Sequence, residues 1–99
     1  MSQFNEMHVP ANLFRGLEGV GGHLTVTDTR VFFNPHSLNI QKGELNIGMD
    51  EIEYARERKT WKIIPNGMLL RLKSGQEYKF VLNNRKRIIE FVNKKVQSY

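Results

Sequence analysis

The feature that most constrains this chain is a change of hydrophobic period. Up to residue 82, apolar side chains recur at every second position between short turn signals; from residue 84 they recur at every fourth. Period two is the signature of a strand with one buried face, and a four-residue spacing that of a helix with an apolar stripe. Leu24 and Val26 alternate with His23, Thr25 and Thr27, and Leu45, Ile47 and Met49 with Glu44, Asn46 and Gly48. Met68, Leu70 and Leu72 then precede Ser74-Gly75, after which Tyr78, Phe80 and Leu82 alternate with Glu77, Lys79 and Val81. That pair reads as a hairpin. Further turn signals stand at Gly21-Gly22, Thr27-Asp28-Thr29, Asn34-Pro35, Lys42-Gly43 and Pro65-Asn66-Gly67. The spacing predicts an all-β meander of seven strands, near residues 11–17, 22–27, 30–34, 44–49, 51–59, 67–73 and 76–82. In this reading Gly19, Gly21 and Gly22 make the turn or bulge between the first two strands, and Phe32, Phe33, Tyr78 and Phe80 are core.

From Asn84 onward, Ile88, Val92 and Val96 form one stripe, while Lys86, Arg87, Glu90 and Lys94 populate the other side. Asn83 or Asn84 is placed to cap this helix. A lone amphipathic helix after seven strands must pack on the sheet, closing the open end of a barrel. The expected fold is therefore mainly β with one C-terminal α-helix, as one domain over residues 11–99 preceded by an extension, 1–10. Ninety-nine residues allow one real core.

The second half holds the charge. Residues 1–50 carry three basic side chains (Arg15, Arg30, Lys42) against five acidic ones, net −2; residues 51–99 carry twelve against five, net +7. Such asymmetry points to an anionic partner, or else to simple solubility. Two clusters stand out. Arg56, Arg58, Lys59 and Lys62 lie on and just after the fifth strand, with Trp61 among them; Arg56 and Arg58, two apart, project from one face. They suit an anionic surface, or a solvated edge strand that resists pairing, with Trp61 then covering the core beside the helix. Arg85, Lys86 and Arg87 open the helix, where cations oppose the macrodipole. A bound anion would compensate, as would pairing with Glu77 or Glu90.

No cofactor motif is present. The glycine-rich stretch lacks a following Lys-Ser/Thr pair, so it is no phosphate loop. There is no cysteine, and His8, His23 and His36 stand thirteen or more residues apart with no close ligand pair, so no metal site is expected. No nucleophile and base can be paired from spacing. No run reaches the roughly 18–20 apolar residues of a membrane span, and the N-terminus lacks the basic start and apolar run of a leader. The expected location is the cytoplasm, either free or peripheral at the inner membrane surface.

In order, Gly21 to Phe33, Ile47 to Ile52 with Asp50 between, Ile64-Pro65-Asn66-Gly67-Met68 and Ser74 to Val81 make the chain resemble a GRAM domain, the small branch of the pleckstrin-homology (PH) superfold. The resemblance spans roughly residues 11–97. It implies two nearly orthogonal antiparallel sheets in a seven-stranded, partly open barrel capped by the helix, and a binding module rather than an enzyme. PH domains that hold phosphoinositides place Lys and Arg on the first two strands and their loop. Here Arg15 to His23 offers one Arg, one His and an opposing Glu18, and the third-to-fourth strand loop adds only His36 and Lys42. Attachment is therefore expected through the basic second half, to anionic membrane lipid or a protein partner. A nucleic-acid-binding barrel, with Trp61 and Tyr54 as stacking aromatics, ranks below it. A structural or homo-oligomeric module is the third reading, with Leu69 and Phe91 as candidate exposed apolar residues.

Overall fold

The computed structural model describes residues 6–15, 18–36, 44–60 and 64–99, with side chains excepted at 15, 18, 59–60 and 64–66. Seven strands precede one helix: β1 (Met7–Arg15), β2 (Glu18–Val26), β3 (Arg30–Pro35), β4 (Leu45–Gly48), β5 (Ile52–Thr60), β6 (Ile64–Leu72), β7 (Glu77–Leu82) and α1 (Arg85–Gln97). All neighbours are antiparallel, in the order β4-β3-β2-β1-β7-β6-β5. The sheet is continuous, because Ala11 to Phe14 of β1 pair with Lys79 to Leu82 of β7. Its edges, β4 and β5, are joined by a single 3₁₀ turn, Met49–Glu51. So short a connection obliges the sheet to curl, and the opening between its edges is what the helix covers.

The alternation sets the core. Leu13, Leu24, Val31, Phe33, Met68, Leu70 and Phe80 point inward and are buried, joined by Ile88 and Val92 of α1. Phe33 of β3 and Phe80 of β7, strands separated by β2 and β1 in the sheet order, meet at 6.0 Å between ring centroids across the interior.

Helix α1 packs on β5, β6 and the 3₁₀ turn. Its Asn93 replaces a missing strand: the amide nitrogen donates to the Ala55 carbonyl and the amide oxygen accepts from the Ala55 N–H, both at 2.9 Å. The outer hydrogen-bonding groups of Ala55 on edge strand β5 are thus satisfied, which discourages edge pairing there. Lys95 ties the far end of the helix to Asp28 in the β2–β3 turn at 2.7 Å.

Several boundaries differ from expectation. Strand β1 begins at Met7, so residues 7–10 belong to the sheet and the expected boundary at residue 11 falls inside a strand. The glycines form no turn: Gly19, Gly21 and Gly22 lie within β2, opposite Phe14, Asn12 and Ala11. Gly22 is required by packing, since a Cβ there would stand 2.2 Å from the Asn34 carbonyl oxygen of β3. Apolar alternation cannot register a strand whose inward position is a glycine. Likewise β6 begins at Ile64, before the expected start at residue 67, so the turn signal Pro65-Asn66-Gly67 lies inside the strand. Phe32 is not core; it faces outward, half-buried, beside Thr25 and Asn46.

The turns keep their chemistry. Thr27 Oγ1 accepts the N–H groups of Thr29 and Arg30 at 3.2 and 3.0 Å. Gly75 takes φ 99°, a left-handed conformation natural to glycine, in the β6–β7 hairpin. Asn84 precedes the helix but makes no side-chain cap; it adopts φ 58°, and only its carbonyl serves the helix, accepting from Ile88 at 3.2 Å.

Candidate functional site: a basic sheet face

The outward positions of β5, β6 and β7 form the candidate face. On β5 these are Glu53, Tyr54, Arg56 and Arg58, on β6 Leu69 and Arg71, and on β7 Glu77 and Lys79. Arg56 stands opposite Leu69, which stands opposite Lys79. Leu69 lies outside the main core cluster yet is 1% exposed. In the register it stands between the exposed Arg56 and Lys79, whose long aliphatic stems are of the kind that cover an apolar neighbour. Leu69 therefore offers no exposed apolar patch. Phe91, the other candidate, is half-buried against the core, with Lys95 Nζ 5.4 Å from its ring centroid.

Charge on this face is sorted. Arg71 takes Glu77 at 2.7 Å and Glu53 at 3.0 Å. Those two carboxylates, Glu77 first, hold the Arg71 guanidinium above its ordinary pKa. Arg85 takes Glu57 at 3.2 Å. Three of the second half's five acids are thereby occupied. Among the described residues, Arg56, Arg58 and Lys79 have no carboxylate within 4 Å. The Arg56 guanidinium lies 5.9 Å from the Tyr54 ring centroid, a cation over an aromatic face.

The helix start joins this region through Arg85. Its guanidinium donates to the carbonyls of Gly67, at 3.1 Å, and Arg58, at 3.4 Å, besides pairing with Glu57. Arg85 is thus a clamp between α1, β5 and β6, already compensated by Glu57 and two carbonyls, and not a vacant anion ligand. Neither Glu77 nor Glu90 is its partner. Lys86 and Arg87 next to it are exposed. The two basic clusters, separate in sequence, meet where Arg85 reaches the end of β5. Lys59 lies on β5 with its side chain outside the described set, and Trp61 and Lys62 fall outside the described residues. Lys79 is the cation that sequence reading missed. Its signal was the strand register, which sets the polar position of β7 beside β6 and then β5.

The outer face of β1–β3 is different. His8, Pro10 and Asn12 of β1, His23 and Thr25 of β2, and Asn34 and His36 at the end of β3 carry it, and the three histidines are neighbours. The His8 and His23 rings stack at 4.9 Å, 13° apart, and those of His23 and His36 meet edge-on at 4.9 Å and 82°. Sequence distances of thirteen and more concealed this, because antiparallel pairing sets residues far apart in the chain side by side. Nearby lies an open cleft of about 350 Å³, walled by Pro10, Asn12, Gly21, His36, Val81 and Asn83. No helix among the described residues is long and apolar enough to cross a membrane.

No protein family description matches the chain, and no curated protein matches it. Solved structures do. The chain is similar to the C-terminal domain of an unknown protein from Leishmania infantum, with TM-score 0.79 and 14% identity over 92% of this chain and 82% of that one. The N-terminal PH domain of human ARAP2 gives TM-score 0.74 at 8% identity, over 99% and 84%. The PH domain of Slm1, solved in complex with phosphoserine, gives 0.61 at 10%, over 94% and 95%. At such identities the likeness is one of fold, and the fold is PH-like.

Proposed function

We propose that this protein is a non-catalytic binding module of the GRAM type within the PH-like fold, and that it attaches to an anionic membrane surface through the outer face of β5–β7 and the first turn of α1. The observation that carries the reading is the sorting of charge: Glu53, Glu57 and Glu77 are paired with Arg71 and Arg85, leaving Arg56, Arg58 and Lys79 without a carboxylate within 4 Å among the described residues. Lys86 and Arg87 extend that set beyond the Arg85 clamp. Cations of this kind contribute about 1 kcal/mol each near an anionic bilayer, so a handful suffices for reversible attachment. The Slm1 PH domain, which holds phosphoserine, is a case in which this fold accepts a phosphate-bearing group. Lys59, Trp61 and Lys62 are assigned to the same surface from their place in the sequence.

Co-sedimentation with phosphatidylserine-containing and with neutral vesicles, at low and physiological salt, tests the proposal. Capture by anionic vesicles alone is expected, weakening as salt shortens the screening length to about 8 Å at 0.15 M. Capture unchanged in the triple variant Arg56→Glu, Arg58→Glu, Lys79→Glu would overturn it. Absence of capture at either salt would move the assignment to an acidic protein partner.

A further inference from the structure

We propose that His8, His23 and His36 form a binding site for a borderline divalent transition-metal ion of the Zn²⁺ class, on the face of the sheet opposite in character to the basic one. Two imidazoles sharing such an ion, with metal–nitrogen bonds near 2.0–2.1 Å and angles between 90° and tetrahedral, hold their ring centroids roughly 4.5–5.2 Å apart. Both histidine pairs stand at 4.9 Å. The strands therefore set the separation that a shared ion requires, but the rings are stacked in one pair and edge-on in the other, so His23 and His36 must turn about their Cβ–Cγ bonds to aim a nitrogen at it. Among the described residues no group of three or more His, Cys, Asp or Glu side chains is converged on a point. The ion is accordingly taken by a pair of imidazoles, with water completing its shell. His23 stands in the middle and belongs to both pairs.

Further observations support the site. His36 is exposed and His23 half-buried, so these two rings have room to turn, while the exposed His8 is held by Thr25. His8 Nδ1 lies 2.7 Å from Thr25 Oγ1. With that nitrogen protonated and donating, the lone pair sits on Nε2, in the arrangement by which an outer partner fixes the tautomer of a metal-binding histidine. The register neighbours, Pro10 and Thr25 on either strand and Asn34 on β3, are uncharged, so they do not repel a cation. Residues 1–50 carry net −2, while the cations of the chain lie mostly in the other half.

The test is a ZnCl₂ titration of the full, untagged chain at pH 7.5, followed by calorimetry and by the imidazole resonances in ¹H–¹³C NMR. One equivalent is expected to bind, with all three histidines shifting and His23 most. His23→Gln, which removes both pairs, is expected to weaken binding at least tenfold, whereas His8→Gln and His36→Gln each leave one pair and cost less. The double variant His8→Gln, His36→Gln removes both pairs while keeping His23, and serves if His23→Gln does not fold. Equal zinc affinity in the wild type and in whichever of these folds, or shifts elsewhere than in the histidines, would overturn the proposal. So would a flat titration.

Discussion

The two halves of the sheet obey the same alternation, yet their outer faces differ. Outside β1–β3, the histidine ladder stands among neutral neighbours such as Pro10, Asn12, Thr25 and Asn34, with rings 4.9 Å apart. Outside β5–β7, long charged side chains stand in register, their acids consumed by Arg71 and Arg85 and their remaining cations facing water. Both faces cover the same continuous core. Folding thus fixes only the inward positions of each strand, and the outward ones are left to carry chemistry. The charge difference between the two halves of the sequence becomes a difference between two surfaces because each half of the chain builds one half of the sheet.

The comparison breaks most completely where the halves are joined. Phe80 of β7 meets Phe33 of β3 across the core, so Phe80→Ala should cost about 3–5 kcal/mol. Thermal unfolding followed by circular dichroism should remain a single transition at a much lower midpoint; two separate transitions would show that the halves are independent. Within the first half, Gly22→Ala forces a methyl group against the Asn34 carbonyl oxygen, a backbone atom that cannot rotate away. A loss of about 2–3 kcal/mol is expected, roughly 10 °C or more in melting temperature for a domain of this size. Vesicle capture at a temperature where the variant is folded should be unchanged.

In the second half, Asn93→Ala removes both bonds to Ala55 and opens the β5 edge. The cost should be about 1–2 kcal/mol, and light scattering at high concentration should reveal self-association that the wild type lacks. The smallest effect on stability belongs to the reversal of Arg56, Arg58 and Lys79. None of them pairs with a described carboxylate, so denaturant unfolding should move by less than about 0.5 kcal/mol while vesicle capture is lost. That separation of stability from binding sharpens the comparison most.

The strand count, the helix and its stripe were legible because Leu24, Val26, Leu70, Leu72, Phe80, Leu82, Ile88 and Val92 follow period two or four, whereas in β3 the adjacent Phe32 and Phe33 hid which of them faces inward. Residues 7–10 and 18–21 were not, because their place in β1 and β2 is settled by pairing and by the close approach of β3 at Gly22, which leaves no apolar mark. At the candidate site, Arg56 and Arg58 were visible as residues two apart on one strand. Lys79, the burial of Leu69 and the Arg85 clamp were not, since each depends on which strands are neighbours. The histidine ladder is the extreme case: its three members come from three strands, and only the register of β1, β2 and β3 unites them.

The most direct test of the account is a map of backbone amide shifts in ¹⁵N-labelled protein as anionic nanodiscs are added at physiological salt. The account predicts perturbations at Arg56, Arg58, Leu69, Lys79, Lys86 and Arg87, with His8, His23 and Asn34 unmoved. Perturbations centred on the β1–β3 face, with β5–β7 silent, would contradict it.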